Sequence, residues 1–257
     1  MNDRIFTNAI VRKPCREMVN GLTTAKLGKP DYIKALEQHS RYVDILKECG
    51  LFVTVLDGDN KYPDSTFIED VALCTSQFAT ITNPGAMTRN GEKHGIRKAL
   101  QEFYNNIEEI KYPGTLDAGD VMMVDNHFYI GISERTNHDG ADQLINFLQN
   151  KNMTGFKIPM KKMLHLKTGL SYLEQNNLLI SGEFVYNPEF EKYSRIVVDE
   201  KEQYAANSLW INGKVLVPRG YHETKNKIEK AGYTTIEIDV SEFQKLDGGL
   251  SCLSLRF

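Results

Sequence analysis

The sequence predicts an α/β protein in which about five units, each a hairpin followed by a helix and a strand, close into a ring. Three observations favour this architecture: hairpin patterns recur along the chain, a helix and a strand follow each of them, and both chain ends are strand-like. A ring closed by the two ends buries its sheet edges and leaves a central pocket. An open α/β sheet is the alternative, because hydrophobic periodicity alone does not distinguish the two.

The hairpins are predicted over residues 121–130, 170–180 and 208–217, and residues 71–82 are a candidate for another. Their turns contain Asp125-Asn126, residues 174–176 and Asn212-Gly213, which are residue types that tolerate the positive φ of tight turns. The flanking segments are rich in Ile, Val, Leu and aromatic residues, as buried strands are.

Helices and strands alternate after these hairpins. Helices are predicted over residues 30–49, 92–104, 139–151, 188–193 and 221–231, and the strands that follow them over 51–56, 107–110, 155–158, 195–198 and 234–238. The unit at 30–56 lacks a hairpin of its own, and pairing residues 4–11 with residues 252–257 would complete it. No Pro/Ser-rich linker interrupts the pattern, so residues 1–257 are predicted to form one catalytic domain.

Composition narrows the classes of function. The chain has 257 residues and a formal net charge of −3, without the positive surplus of a general nucleic-acid binder. No apolar run reaches the roughly 18 residues of a membrane span, and the N-terminus lacks a secretory signal pattern. A cytoplasmic location is therefore expected. The four cysteines are scattered without a CxxC pair, which favours reduced thiols over a disulfide framework or a zinc site.

Two residues are candidates for nucleophilic chemistry. Cys252 follows Asp247-Gly-Gly-Leu-Ser, where two glycines let the backbone approach a ligand closely. His165 stands between two leucines ahead of a predicted strand. A small buried cysteine and a hydrogen-bonded core histidine are the ordinary interpretations. Together, a thiolate and a histidine would attack a carbon, protonate a leaving group and activate water.

Acidic residues recur at loop ends, in Asp117-Ala-Gly-Asp120 and around Asp64, Glu69 and Asp70. Turn and cap formation is the structural interpretation. The functional interpretation is a cation site, for a guanidinium with its five N–H donors or for a hard metal ion, although no DxDxDG loop supports the metal.

The combination of segments resembles the dimethylarginine dimethylaminohydrolase family of guanidine-modifying enzymes, in particular its bacterial form. The resembling segments, in the family's order across nearly the whole chain, are Pro63-Asp-Ser-Thr-Phe-Ile-Glu-Asp-Val-Ala, Gly114-Thr-Leu-Asp-Ala-Gly-Asp-Val-Met-Met, Tyr129-Ile-Gly-Ile-Ser-Glu-Arg-Thr-Asn, Leu164-His-Leu-Lys-Thr-Gly-Leu, Tyr204-Ala-Ala-Asn and Asp247-Gly-Gly-Leu-Ser-Cys.

The resemblance implies the pentein fold, a pseudo-fivefold α/β propeller with a central active site. It implies Cys252 as nucleophile, His165 as general acid and base, and Asp117 as the third catalytic carboxylate, a position where some members carry Glu. It places Glu69 and Asp70 near the substrate guanidinium.

At the other end of the substrate, the resemblance implies that Arg89 and Arg135 hold the α-carboxylate. Each arginine lies near a turn signal, so a solvated surface position is the ordinary interpretation. Asp64, with main-chain groups of Leu22 and Leu246, is implied to contact the α-amine.

The implied activity is hydrolysis of Nω-methylated arginine, a small-molecule substrate, to citrulline and a methylated amine through a covalent thiouronium on Cys252. No metal and no organic cofactor is implied. The alternatives are arginine deiminase or amidinotransferase chemistry on the same site, or a non-catalytic binder of arginine-like ligands. Residues 21–28 are either a lid or an ordinary connection, and the sequence is compatible with a monomer or a homodimer.

Overall fold

The first and last strands of the chain lie side by side. In the computed structural model, which describes residues 5–257, β1 (Asn8–Arg12) pairs antiparallel with β15 (Leu255–Arg256), placing Ile10 opposite Leu255. The predicted closure of the ring by the chain ends is therefore confirmed. Arg4, the first residue of the predicted strand 4–11, lies outside the described residues.

Within the described range the strands form five three-stranded sheets, ordered β15-β1-β2, β3-β4-β5, β6-β7-β8, β9-β10-β11 and β12-β13-β14. In each sheet the middle strand pairs antiparallel with the first strand and parallel with the third. The remaining strands are β2 (Phe52–Leu56), β3 (Ala72–Cys74), β4 (Ala79–Ile81), β5 (Ile107–Glu109), β6 (Val121–Val124), β7 (His127–Ile132), β8 (Thr154–Pro159), β9 (Leu170–Tyr172), β10 (Asn177–Ile180), β11 (Ser194–Val197), β12 (Leu209–Ile211), β13 (Lys214–Pro218) and β14 (Thr234–Ile238).

The described helices are α1 (Tyr32–Glu48), α2 (Lys93–Leu100), α3 (His138–Gln149), α4 (Leu166–Gly169), α5 (His222–Lys230) and α6 (Ser241–Gln244). Helices α1, α3 and α5 begin and end within two residues of the predicted positions, α2 ends four residues early, and the short helices α4 and α6 were not predicted. The Asp31 side chain accepts hydrogen bonds from the N–H groups of Ile33 and Lys34 and so begins α1. The predicted helix over 188–193 is a single 3₁₀ turn, Pro188–Phe190. No described helix is long and apolar enough to cross a bilayer.

Five buried apolar clusters lie between neighbouring sheets and establish the order of the ring. One cluster joins Ile10 and Leu255 of the first sheet to Ile81 of the second, and another joins Ala9 of the first to Ile211 of the fifth. The other three join the second sheet to the third, the third to the fourth and the fourth to the fifth. Because the clusters return to the starting sheet, the open-sheet alternative is wrong.

A short turn or helix precedes the first strand of every sheet. These segments are Ile68–Val71 before β3, Ala118–Asp120 before β6, α4 before β9, Glu200–Ala206 before β12 and Ser251–Leu253 before β15. They contact one another in the middle of the ring. Residues far apart in the chain therefore meet there.

Candidate active site

The central turns bring together residues that the sequence separates by up to 182 positions. Asp70, Asp117, His165 and Cys252 each come from the turn of a different sheet. All of these side chains except Cys252, which is half-buried, are buried. The ring geometry, rather than any local motif, creates the site.

His165 and Asp117 form a buried pair. The Nε2 atom of His165 lies 3.2 Å from Oδ2 of Asp117, and Oδ1 of Asp117 accepts the N–H of Gly85 at 2.9 Å. Burial opposes a charge on His165, but Asp70, Asp120 and Asp117 outweigh it and raise the pKa of His165 to about 9. An Asp at this position therefore reaches the histidine, and His165 is protonated at neutral pH.

Asp70 lies beside this pair and is held on both oxygens. Its Oδ1 accepts the N–H of Gly119 at 3.1 Å, and its Oδ2 pairs with Arg89 at 2.6 Å. A Cβ atom on Gly119 would lie 2.6 Å from Oδ1 of Asp70 and 2.9 Å from Nδ1 of His165. Glycine is therefore needed here for close approach of two side chains.

The cluster of Asp70, Asp117 and His165 is suited to a cation. One oxygen or nitrogen atom from each residue lies within 4.8 Å of the others, a spacing that a metal ion could bridge only with His165 neutral. The same arrangement of carboxylate oxygens fits the N–H groups of a guanidinium.

The Cys252 thiol is neutral in this structure. Burial, together with the charges of Glu69 and Asp70, raises the pKa of Cys252 to about 12, despite the Gly249 N–H that lies 3.4 Å from Sγ. An arriving cation would favour the thiolate, because it would offset these negative charges.

Cys252 and His165 line a cavity of about 210 Å³. Residues from both chain halves complete its wall, namely Leu22, Thr23, Thr24, Asp64, Phe67, Asp70, Arg89, Arg135, Leu164, Leu246, Asp247 and Gly248. Six of the substrate-binding residues implied by the family resemblance therefore line the same cavity. They are Leu22, Asp64, Asp70, Arg89, Arg135 and Leu246. Asp117 does not line this cavity itself, but it contacts His165, which does.

Two acidic residues of the cavity wall, Asp64 and Asp247, are bonded to the start of the segment 21–28. Asp64 is buried and accepts the N–H of Leu22 at 3.0 Å, while Thr24 donates its N–H and its hydroxyl to Oδ2 of Asp247 at 2.5 and 3.0 Å. Burial raises the pKa of Asp64, although Arg89 opposes this shift. The start of the segment 21–28 is therefore bonded at the cavity wall to both Asp64 and Asp247.

The two arginines differ in their surroundings. Arg89 is buried, and its guanidinium pairs with Asp70 and with Glu92 at 2.8 Å and donates to the Phe67 carbonyl at 3.0 Å. Arg135 is half-buried and makes no hydrogen bond or ion pair through its side chain with residues 5–257. Arg135 is therefore the arginine that is free to bind an anion, whereas Arg89 already has two carboxylate partners.

Glu69 lies on the other side of its turn from Asp70. Its carboxylate accepts the Ser251 hydroxyl at 2.7 Å and pairs with Lys167 at 2.7 Å and Arg256 at 2.9 Å. It lines a smaller cavity of about 30 Å³ beside Cys252 rather than the larger one. Its contact with a substrate guanidinium stays a prediction.

Two buried residues of the site, Asp120 and Asn207, have no role predicted from the sequence. Asp120 is buried and accepts the Ser133 hydroxyl at 2.7 Å and the Leu166 N–H at 3.0 Å. The second bond fixes the backbone directly after His165. Asp120 shares a motif with Asp117, so the motif could have indicated it. Asn207, from Tyr204-Ala-Ala-Asn, lies beside Cys252 and has no comparable signal in its spacing.

The site is therefore suited to attack by a thiol on a cationic substrate. It places a thiol and a protonated histidine beside carboxylates that attract a cation, inside a pseudo-fivefold ring of α/β sheets. These features define a guanidine-modifying enzyme of the pentein fold.

Comparison with known proteins agrees with this class. The family model described as "N,N dimethylarginine dimethylhydrolase, eukaryotic" matches residues 28–254. An N(G),N(G)-dimethylarginine dimethylaminohydrolase of Pseudomonas aeruginosa is 52% identical over 254 residues, covering 98% of this chain and 100% of that protein. The chain belongs to the dimethylarginine dimethylaminohydrolase family.

Solved structures of the family superpose closely on this chain. A Pseudomonas aeruginosa variant with cysteine replaced by serine, complexed with citrulline, has a TM-score of 0.98 at 51% identity, covering 99% of this chain and 100% of that one. A variant with histidine replaced by glycine, an adduct with S-methyl-L-thiocitrulline, has a TM-score of 0.97 at 51% identity, covering 98% and 100%. The expected pentein fold is confirmed.

Proposed function

We propose that this protein hydrolyses Nω-methylated arginines, releasing citrulline and dimethylamine or methylamine. The observation that carries the proposal is the shared cavity of Cys252 and His165, with Asp70 and Asp117 beside them. The family relationship, the citrulline complex of the Pseudomonas aeruginosa enzyme and the S-methyl-L-thiocitrulline adduct of a dimethylarginine dimethylaminohydrolase support the same reaction.

The cavity suggests one orientation of the substrate. The guanidinium lies toward Asp70 and Asp117, where negative charge is concentrated. The α-amine lies toward Asp64 and the main chain of Leu22 and Leu246, and the α-carboxylate toward Arg135. Arg89 supports this orientation by holding Asp70 in place.

The first half of the reaction forms the covalent intermediate. The guanidinium charge lowers the pKa of Cys252, the thiol loses its proton to solvent, and the thiolate attacks the guanidinium carbon. His165, charged at neutral pH, donates a proton to the departing amine nitrogen as the C–N bond breaks. A thiouronium remains on Cys252.

The second half releases citrulline. His165 is neutral after donating its proton and removes a proton from water, which attacks the thiouronium carbon. The C–S bond then breaks, the sulfur leaves as thiolate, and the added hydroxyl loses its proton to solvent, so that the carbon becomes the ureido carbon of citrulline. Asp117 stabilises the histidine whenever it is charged, because its carboxylate lies 3.2 Å away.

The proposal is tested by measuring citrulline and dimethylamine from asymmetric dimethylarginine, with arginine in parallel and no added metal. Citrulline from the methylated substrate alone is the expected result. Citrulline and ammonia from arginine alone would instead identify a deiminase. Saturable binding without citrulline from either would identify a binder.

The location of the protein is part of the proposal. Cys15, Cys49, Cys74 and Cys252 are all free thiols. Free cysteines suit a reducing compartment, so we place the enzyme in the cytoplasm.

A further inference from the structure

Asn207 occupies a position equivalent to the catalytic candidates. Asp70, Asp117, His165 and Cys252 come from the turns that precede β3, β6, β9 and β15. The remaining sheet begins with β12, and Asn207 is the residue that follows its central turn, Glu200–Ala206. Every sheet of the ring thus contributes one polar side chain from in or beside the turn that precedes its first strand.

The Asn207 side chain joins the segments of Cys252 and His165. Its Oδ1 accepts the N–H of Ser251 at 2.9 Å, and its Nδ2 lies 3.1 Å from the Ser251 hydroxyl and donates to the Lys167 carbonyl at 3.0 Å. Ser251 directly precedes Cys252, and Lys167 is two residues beyond His165. The amide is buried, so no solvent replaces these bonds.

We propose that Asn207 is a positioning residue that fixes Cys252 relative to His165, an inference that rests on the proposed function. It touches neither the thiol nor the imidazole by hydrogen bond, and it acts through the backbone on each side. Its amide is suited to this because it offers an acceptor to one segment and a donor to the other.

A second, charged connection joins the same two segments. Glu69 accepts the Ser251 hydroxyl and pairs with Lys167, both at 2.7 Å. Its strength depends on the ionisation of Glu69 and Lys167, whereas the connection through Asn207 carries no charge. A Cβ atom on Gly249 would lie 2.5 Å from the Asn207 side chain, so the turn before Cys252 is shaped to contact this amide.

The test compares Asn207→Ala with Asn212→Ala. Asn212 also has three side-chain hydrogen bonds to backbone, with Phe6 N–H, the Phe6 carbonyl and the Cys49 carbonyl, but it lies in an outer hairpin turn. Thermal unfolding, kcat and KM for asymmetric dimethylarginine, and the pH dependence of Cys252 alkylation by iodoacetamide are measured for both.

We expect N207A to lower kcat by roughly 10- to 100-fold, because misplacement of catalytic groups by about 1 Å has effects of this size. KM should change less than about threefold, since the groups that hold the substrate ends are intact. Alkylation of Cys252 should shift to lower pH, because a loosened turn admits water to a thiol whose pKa is raised by burial. N212A should lose stability without either effect.

Unchanged kcat and alkylation in N207A, or equal changes in N212A, would overturn the role of Asn207. The alkylation measurement needs no substrate, so it decides the positioning role even if the wild-type protein releases no citrulline. Activity of the wild-type protein with normal kcat in N207A would overturn this inference alone and leave the proposed function intact.

Discussion

Asp117 accepts from His165 at one oxygen and from the Gly85 N–H at the other, so its carboxylate is fixed beside the imidazole at 3.2 Å. Asp117→Asn keeps the shape and removes the charge. We expect kcat to fall on the order of 10²- to 10⁴-fold, the range of general acid–base contributions. The high-pH limb of kcat/KM should also move to lower pH, because the pKa of His165 loses a charge that raises it.

The control for D117N is Asp142→Asn, which removes a carboxylate paired with Lys157 on the surface. That variant should retain the wild-type pH profile. An unmoved high-pH limb in D117N would show that Asp117 does not set the protonation of His165.

The raised pKa of His165 also predicts how stability changes with pH. The folded pKa of about 9 exceeds the ordinary value of 6.5, so protonation favours the folded state. This stabilisation is complete below about pH 6.5 and is lost as the pH rises through about 9. The difference in unfolding free energy between wild type and His165→Asn should therefore shrink between pH 7 and 10 in urea titrations.

A difference for H165N that stays constant between pH 7 and 10 would contradict the raised pKa of His165.

The architecture was largely predictable because turn chemistry and periodicity are local signals. Asn212-Gly213 adopts positive φ at both positions, as the hairpin prediction required. The pairing of Ile10 with Leu255 was predicted because the first unit lacked a hairpin, and no local property of either strand specified it.

The partners inside the site were less predictable, since they depend on how five turns meet. The pairing of Arg89 with Glu92, three residues later, was not predicted, and the contact of Arg89 with a ligand carboxylate stays a prediction. Adjacent Glu69 and Asp70 line different cavities, which their shared position in the turn Ile68–Val71 did not indicate. Asn207 belongs to the resembling segment Tyr204-Ala-Ala-Asn, but its partners were not predictable, because they meet it only after ring closure.

Gly119 lies against both Asp70 and His165, and it leaves room for them because it has no side chain. Gly119→Ala would place a Cβ atom 2.6 Å from Asp70 and 2.9 Å from His165. We expect a loss of stability of about 1–3 kcal/mol from overpacking and a fall in kcat, because both groups must move. Urea unfolding and steady-state citrulline release measure the two effects.

Gly232→Ala provides the comparison, since Gly232 has φ +99 in an open turn with nothing within 4 Å of a Cβ atom. It should lose about 1 kcal/mol through backbone strain while kcat is retained. If G119A kept full activity, the close packing of Asp70 against His165 would be irrelevant to turnover.

Cys252→Ser tests the covalent step directly. A serine hydroxyl is a far weaker nucleophile than a thiolate, so turnover should be abolished while substrate binding persists. Mass spectrometry of wild-type protein quenched during turnover should show the mass of a thiouronium adduct on the peptide that contains Cys252. Cys74→Ser, at a buried thiol in the second sheet, should keep the adduct. Measurable steady-state hydrolysis by C252S would argue against the mechanism.

Asp247 holds Thr24 at the wall of the cavity by accepting two hydrogen bonds from it. Asp247→Gly removes the carboxylate and keeps the φ of +60, which glycine adopts without strain. We expect KM for asymmetric dimethylarginine to rise by roughly 5- to 30-fold, equivalent to about 1–2 kcal/mol of lost closure. The effect on kcat should be smaller, because Cys252 and His165 keep their own contacts. Asp125→Gly, in an exposed hairpin turn with φ +50, is the matched control and should leave both constants unchanged. A normal KM in D247G would mean that substrate binding does not draw on the Thr24–Asp247 bonds, and residues 21–28 would then be an ordinary connection rather than a lid.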